Sequence, residues 1–430
     1  FWVSIKFYLV MNNILHRILL SIAVFLFIYT FQIPGLPQIF LSYRCVVVLG
    51  FIYAFIFGAK VLHPKTSISD KLVSNYSIWN VFLTIYVIMI LELFGHGKGT
   101  SHESTNDYIN MFIVLPLFYY SGKRIFRDLD DLMWVLRTVG LMQSLIILLG
   151  TLIPEINSTL IILNSDSAFS EAGRMDNMIA SGYHLGFKCF TSLGSMQLAL
   201  SQIAACYFLF RNSNIVNLVF FLLISVSSVL LSRTGFLVAL ICLLFFLFNK
   251  ANKNRWNLFF SIIFLTGAFL VVISFSNFDY GEFFRVNFNR LFILFENGLY
   301  ESYFEIYIGA NDENQIPPLS IYTIIGTGIT SGVSGANIIV NCDGAFLRNY
   351  AAMGFVISIV NYYLLFSFFY KIYKYSKIKT NKLLILVVAL IWFVGEFKEY
   401  FTYQVYYMCF IMLIFSFIER TEINSKTNRK

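Results

Sequence analysis

Residues 215–248 read IVNLVFFLLISVSSVLLSRTGFLVALICLLFFLF, an apolar run of 34 residues whose only charge is Arg233. As a single helix the run would be roughly 51 Å long at 1.5 Å per residue, against a hydrocarbon layer about 30 Å thick. Both flanks are basic, with Arg211 before the run and Lys250 and Lys253 after it. Flanks of like charge belong on one side of a membrane, so the run folds back on itself. Ser232-Arg233-Thr234-Gly235 is then the turn, with Gly235 easing the backbone and Ser232 or Thr234 capping the following helix. Arg233 stands at the membrane–water boundary opposite the two basic flanks, where topology disfavours positive charge.

Composition supports the membrane premise of that argument. The chain of 430 residues is 58% hydrophobic and only 13% charged, with 48 Phe, 26 Tyr and a mean hydropathy of +0.72. A soluble domain is nearer a quarter charged. Apolar runs of membrane-crossing length recur from end to end, which predicts an all-α, polytopic integral membrane protein forming a single membrane domain. Twelve spans are expected, near 17–33, 45–61, 78–94, 107–121, 132–153, 191–210, 215–231, 235–249, 256–275, 346–369, 383–395 and 402–418. The first ends in Gln32-Ile33-Pro34-Gly35 rather than a small-x-small cleavage site, and reads as a retained helix instead of a signal peptide.

Orientation follows from the short connections. With the N-terminus inside, 21 of the 31 basic residues fall on the inner side, nine outside, and Arg137 within a span. Every inner connection carries positive charge, so both termini are expected to be cytoplasmic. The net charge of +8 is accounted for by topology and requires no nucleic acid. Two outer loops, 154–190 and 277–345, exceed what a turn needs. Tyr280, Phe283, Phe284, Tyr300, Tyr303 and Phe304 make the second too aromatic for disorder and suggest a folded outer lid.

The outer cations are Arg44, Arg174, Arg233, Arg285, Arg290 and Arg348, with only Lys98, Lys188 and Lys398, whereas inside Lys outnumbers Arg by 14 to 7. A planar guanidinium binds two oxygens of a phosphate or carboxylate at once, so the outer preference for Arg points to an anionic ligand. Ala345-Phe346-Leu347-Arg348-Asn349-Tyr350 opens the tenth span, with Asp343 at an expected N-cap position. Two readings stand side by side there: a cap with an interfacial arginine, or Arg348 and Arg233 together gripping an anionic head group between helices.

Other motifs resolve into structural readings. Gly326-x-Gly328, with Gly332 and Gly335, lacks the strand-then-helix context of a nucleotide loop. It fits a flexible turn or a close backbone approach to substrate. Asp128-Leu129-Asp130 precedes a helix whose N-terminus favours acidic groups. No His, Cys and carboxylate set has metal-ligand spacing, and no cofactor is expected. Cys189 and Cys342 are the only outer cysteines. Glu92 and Arg137 lie near span ends, where snorkelling accommodates them. For a general base, His184 is the only histidine in a long outer loop, while Glu171, Asp176, Asp279, Glu282 and Asp343 are the outer carboxylates.

The twelve spans, the large outer loop before the third-last span, LLSRTGFLVAL and NCDGAFLRNYAAMGFVISIV together resemble the O-antigen polymerase (Wzy-type) family. That resemblance implies a glycosyltransferase at the periplasmic face of a bacterial inner membrane. Such an enzyme moves a growing glycan from undecaprenyl pyrophosphate onto the non-reducing end of a newly flipped, lipid-linked repeat unit, next to a chain-length regulator. It also implies essential arginines in the two largest outer loops, each with a glycine about eleven residues on. Here Arg174 has Gly186 twelve residues on, and Arg285 and Arg290 have no such glycine. The donor is already activated, so arginines can stabilise the leaving pyrophosphate without metal or nucleotide. In this reading Arg233, Arg348, Arg174, Arg290 and Asp343 are catalytic candidates, and Arg285, Glu171, His184, Gly326 and Gly328 line the substrate. The related O-antigen ligase places a histidine in the late outer loop, and 277–345 contains none. A flippase or transporter would show matched repeats and more mid-membrane carboxylates.

The topology yields a direct expectation. Dual-reporter fusions at Gln315 give a periplasmic signal and fusions at Lys377 a cytoplasmic one; a cytoplasmic signal at Gln315 overturns the arrangement.

Overall fold

The computed structural model describes residues 2–29, 43–57, 67–94, 103–153, 155–156, 159–160, 185–186, 189–248, 256, 260, 319–329, 332–333, 339–340, 344–398 and 401–427. They are overwhelmingly helical: α1 Trp2–Ile28, α2 Tyr43–Phe57, α3 Ile68–Phe94, α4 Glu103–Ile125, α5 Leu129–Leu152, α6 Thr191–Arg211, α7 Ile215–Leu231, α8 Arg233–Phe248, α9 Ile321–Ile325, α10 Ala345–Tyr375, α11 Lys379–Lys398 and α12 Val405–Thr427. Two antiparallel pairings of two residues each are the only strands among the described residues, Leu185–Gly186 with Cys189–Phe190 and Gly332–Val333 with Ile339–Val340. Four helices, α3, α5, α10 and α11, are long and apolar enough to cross a membrane, and 14–28, 47–56, α7 and 234–247 are shorter apolar helices. The expected span 256–275 and most of 154–190 and 277–345 lie outside the described residues.

The chain divides into two compact units, Phe1–Leu49 with Phe126–Phe292, and Gly50–Ile125 with Ile293–Lys430. In the first, α6 is the central helix, and Met196, Leu198, Ala199, Leu200, Ile203 and Ala204 along it are fully buried. It packs against α5, α7 and α8. Polar side chains tie the neighbours together: Ser201 Oγ donates to the Leu136 carbonyl at 2.8 Å and Ser195 Oγ to the Ser228 carbonyl at 2.8 Å. Small hydroxyl residues at crossings let helices approach closely where hydrophobic exclusion from lipid offers no driving force. The acidic start of α5 holds one end of this unit. Asp128 caps α5 through the Asp131 N–H at 2.9 Å, as its place before the helix predicts. Asp131 pairs with Arg17 at 2.7 Å, and Asp130 binds both Tyr207 and Arg211. Arg137 does not simply snorkel. Its guanidinium donates to Asn217 Oδ1 at 2.8 Å and lies over the rings of Phe208 and Phe220, at 4.2 and 5.0 Å.

The opening run is a helical hairpin, α7 then α8, joined by Ser232 alone. Ser232 ends α7 in an extended conformation at the position just before α8, its carbonyl accepts the Gly235 N–H at 3.1 Å, and its hydroxyl donates to Ser195 Oγ at 2.8 Å. Gly235 serves a different purpose from backbone freedom. A Cβ there would stand 2.1 Å from the Ser228 carbonyl oxygen, so the first turn of α8 touches the last turn of α7 through glycine.

In the second unit, α12 is the central helix, with Tyr407–Ile418 almost wholly buried. It packs on α4, α3, α10 and α11. Beyond its apolar stretch it carries two glutamates one turn apart, and each serves the start of another helix. Glu419 accepts from Ser67 Oγ, the Ile68 N–H at 2.7 Å, and the Ser69 N–H and hydroxyl, at the start of α3. Glu422 accepts from Ser376 Oγ at 2.6 Å, the Ile378 N–H at 2.9 Å and Asn381 Nδ2 at 3.1 Å, at the start of α11. Burial opposes ionisation of Glu422, but the bonds from Ser376, the Ile378 and Lys377 N–H groups and Asn381 outweigh it and hold the carboxyl below its ordinary range. Carboxylates beside orphan N–H groups and a positive helix end are doubly favourable. Asp70 completes this end of the unit, bound by buried Lys123 at 2.5 Å and by Tyr119 at 2.7 Å.

The hairpin geometry gives a stability expectation. Gly235→Ala forces α7 and α8 apart and costs about 1–3 kcal/mol or more, whereas Leu240→Ala, on an exposed face of α8, is close to neutral. Thermal midpoints of the purified protein in detergent distinguish them, and equal midpoints would show that the hairpin tolerates a side chain there.

Candidate functional site

The tenth expected span begins where the sequence places it but is built differently. Gly344, not Asp343, occupies the N-cap of α10, and no side chain caps the helix. Within the first turn the Arg348 N–H donates to the Gly344 carbonyl at 3.1 Å. Asp343 itself lies outside the described residues. Arg348 is half-buried in this first turn.

Nine residues further on, about 13 Å along the helix, α10 breaks. Gly354 has φ 79° and ψ 165°, in the left-handed half of the map that glycine alone occupies without strain. The break leaves carbonyls of the preceding turn without helical donors, and the chain supplies others. The Thr327 N–H donates to the Ala351 carbonyl at 2.8 Å and the Gly328 N–H to the Ala352 carbonyl at 2.9 Å, with Thr327 Oγ1 adding a second bond to Ala351 at 2.9 Å. Asn349, whose carbonyl also lies in the short half-helix, receives Ser358 Oγ at 2.8 Å.

The donors come from the segment that follows α9. Helix α9 is fixed by a reciprocal capping box between Ser320 and Thr323 and is followed by Gly326 at φ 108°. A Cβ on Gly354 would stand 2.3 Å from the Ile324 carbonyl oxygen, and one on Gly326 2.6 Å from that of Ala352. Tyr86 of α3 donates to the Ile325 carbonyl at 2.5 Å, and the Phe94 and Tyr322 rings meet edge to face. Thr323, Thr327 and Ile329 are buried, while Leu319, Ile321 and Ile324 expose apolar surface. Gly326-x-Gly328 is therefore a close backbone approach, made to α10 of the same chain. Irregular backbone survives beside membrane helices only when protein or water satisfies it, and here α3 and α10 do.

The half-helix 345–353 is also held from its other side. Asn349 is buried and donates through Nδ2 to Tyr362 Oη at 2.6 Å; Tyr362 donates to Glu396 Oε1 at 2.9 Å. The second carboxyl oxygen of Glu396 accepts from the Thr402 N–H at 2.8 Å and hydroxyl at 2.7 Å, and Trp392 Nε1 donates to that hydroxyl at 3.0 Å. Phe346 packs on Tyr362 with ring centroids 4.6 Å apart and on Phe397 at 5.4 Å. Glu396 is wholly buried and, among the described residues, makes no ion pair. Its partners are hydroxyl and amide donors, which lets a carboxyl sit in an apolar helix without a cation.

The expected eleventh span ends at residue 395, one residue short of Glu396. The helix instead continues to Lys398, because Tyr362 and Thr402 provide the donors that hydropathy could not register. Asn349, Tyr362 and Thr402 were missed with it. The polar residues Asn349 and Ser358 flanking Gly354 in an otherwise apolar run were the available signal.

The remaining candidates belong to other parts of the chain. Arg233 is the first residue of α8, its backbone helical, in the other unit from Arg348. Arg174, Arg285, Arg290, Glu171 and His184 lie outside the described residues, as does Cys342. Among the described residues no group of three or more His, Cys, Asp or Glu could hold a metal ion. What the structure brings together is Arg348, on a short half-helix that begins at Gly344, with Gly326 and Gly328 at its far end and the Asn349–Tyr362–Glu396 chain on its flank. A guanidinium in that setting can bind paired anionic oxygens without reorganising its backbone. No protein-family model matches the chain, and no curated protein or solved structure does.

The flanking chain makes its own expectation. Tyr362→Phe orphans the Asn349 amide and one Glu396 oxygen and lowers stability by about 1–3 kcal/mol. Glu396→Ala strands both Thr402 donors as well and is the worse variant. Thermal unfolding in detergent tests the order; a stable Glu396→Ala would remove the carboxyl from any role in holding the half-helix.

Proposed function

We propose that the protein is an O-antigen polymerase of the Wzy type, a metal- and nucleotide-independent glycosyltransferase of the bacterial inner membrane. The observation that carries the proposal is Arg348. It is half-buried near the start of a membrane helix whose first turns are isolated by a break and braced on two sides. The Ser232-Arg233-Thr234 turn and the Asp343-Gly344-Ala345-Phe346-Leu347-Arg348 helix start are the motifs of the resemblance, and the twelve-span arrangement with cytoplasmic termini belongs to the same proposal. In that arrangement both arginines stand at the periplasmic boundary, the level at which an undecaprenyl pyrophosphate presents its phosphates.

The chemistry is a displacement at an anomeric carbon. A hydroxyl of the acceptor sugar forms the new C–O bond and loses its proton to a base, and the bond to the pyrophosphate breaks. Undecaprenyl pyrophosphate departs with the electron pair. Charge develops on the leaving oxygens, and a fixed guanidinium bonded to two of them stabilises the transition state more than the ground state. Arg348 and Arg233 are assigned to this task. Arg174 and Arg290 are assigned to catalysis beside them and Arg285 to the glycan, with His184, Glu171, Asp176, Asp279, Glu282 and Asp343 as the base candidates.

Lysine replaces the charge of an arginine but not its fork. A charge-assisted hydrogen bond contributes roughly 1.5–3 kcal/mol, so its loss in the transition state slows turnover about 10- to 150-fold. Arg348→Lys and Arg233→Lys insert normally yet give sparse, short chains, and the alanine variants are worse; Lys98→Ala and Lys398→Ala are nearly silent. Turnover of a lipid-linked repeat unit by purified variants is the measurement, and wild-type rates from both lysine variants would refute the assignment. A deletion strain makes lipopolysaccharide capped by a single repeat unit. A normal ladder rejects the polymerase, and core without any repeat indicates a ligase or flippase.

A further inference from the structure

We propose that the turn between α10 and α11 binds the headgroups of anionic phospholipids. Both helices are long and apolar enough to cross a membrane, and only Ser376, Lys377 and Ile378 join them. A connection that short keeps the turn at the membrane–water boundary. Five lysines fall within residues 371–382: Lys371, Lys374, Lys377, Lys379 and Lys382. The first four are exposed; Lys382 is half-buried over the Tyr373 ring at 5.1 Å.

Folding does not account for all of this charge. Lys374 in the last turn of α10 complements a negative helix end, but Lys379 and Lys382 open α11, where the helix dipole opposes a cation. Among the described residues none of the five forms an ion pair. The nearby carboxyl of Glu422 is buried beneath the turn and engaged by Ser376, the Ile378 N–H and Asn381, and Glu419 is engaged at the start of α3. One inward-facing anion thus stands under five cations, four of them open to the surface. Tyr370, 63% exposed, and Tyr373 and Tyr375 alternate with the lysines. Tyrosines of this kind sit at headgroup level. Clustered lysines next to a membrane helix attract anionic lipid, and mobile point charges suit phosphodiesters that exchange, where a guanidinium fork would suit a fixed ligand.

The test uses the purified full-length chain in neutral detergent, titrated with short-chain phosphatidylglycerol and, separately, short-chain phosphatidylcholine, with bound lipid counted by native mass spectrometry. Phosphatidylglycerol is expected to bind at least about tenfold more tightly than phosphatidylcholine. Lys377→Gln and Lys379→Gln each weaken it roughly fivefold. Lys377→Arg keeps the charge and the binding, and Lys71→Gln, which removes an exposed lysine from the start of α3, leaves binding unchanged. Exposed positions make these variants foldable, and an unchanged thermal midpoint confirms it. Equal binding of the two lipids, or undiminished binding by both glutamine variants, overturns the proposal. So does displacement of phosphatidylglycerol by equimolar inorganic phosphate, which would reveal a small-anion pocket instead. The outcome is independent of polymerase activity.

Discussion

In an apolar layer an unpaired peptide group costs roughly 2–7 kcal/mol, and no water is at hand to relieve it. That constraint governs the second unit of this protein at four places. Glu419 and Glu422 satisfy N–H groups where α3 and α11 begin, and Glu396 satisfies the Thr402 N–H where α12 is about to begin. At Gly354 the same need is met by backbone: Thr327 and Gly328 give their N–H groups to carbonyls that the broken helix releases. The helices are held together by these repairs as much as by packing, because lipid gives apolar side chains little reason to prefer one another.

The break in α10 therefore has a definite cause and a definite effect. Its cause is a glycine at positive φ against which the Ile324 carbonyl is pressed, leaving no room for a Cβ. Its effect is to separate nine residues from the remainder of the helix and attach them to α9, α3 and α11 instead. Trp79 donating to Asn361 at 2.9 Å shows that the lower part of α10 keeps its own link to α3. Arg348 thus rides on a segment braced by the α9 segment, by α11 and, through Ser358 and Tyr362, by the part of α10 that follows the break. Preorganisation of this kind is what an electrostatic site needs, since donors that do not move when charge develops lose nothing to reorganisation.

The two units solve the problem of intramembrane charge differently. Arg137 in the first is accommodated by two aromatic faces and one amide oxygen, and Glu396 in the second by two hydroxyls and a peptide N–H. Neither makes an ion pair among the described residues. Among the described residues the pairs that form, Arg17 with Asp131, Arg211 with Asp130 and Lys123 with Asp70, each use an aspartate in the first turn of a helix.

The sequence by itself determined that the chain is helical and membrane-embedded, because apolar runs of this length leave the backbone no other partner than itself. It determined the hairpin at Ser232, since 34 apolar residues exceed one crossing. It also determined the cap at Asp128, a purely local bond. Only the tertiary structure decided that Gly326 and Gly328 lie against α10, that Gly344 displaces Asp343 at the cap, and that Glu396 is buried. The first and last of these depend on donors and acceptors brought from distant residues: Thr327 is 24 positions from Ala351, and Tyr362 is 34 from Glu396. Hydropathy is a property of neighbours along the chain, and a long-range hydrogen bond leaves no mark on it.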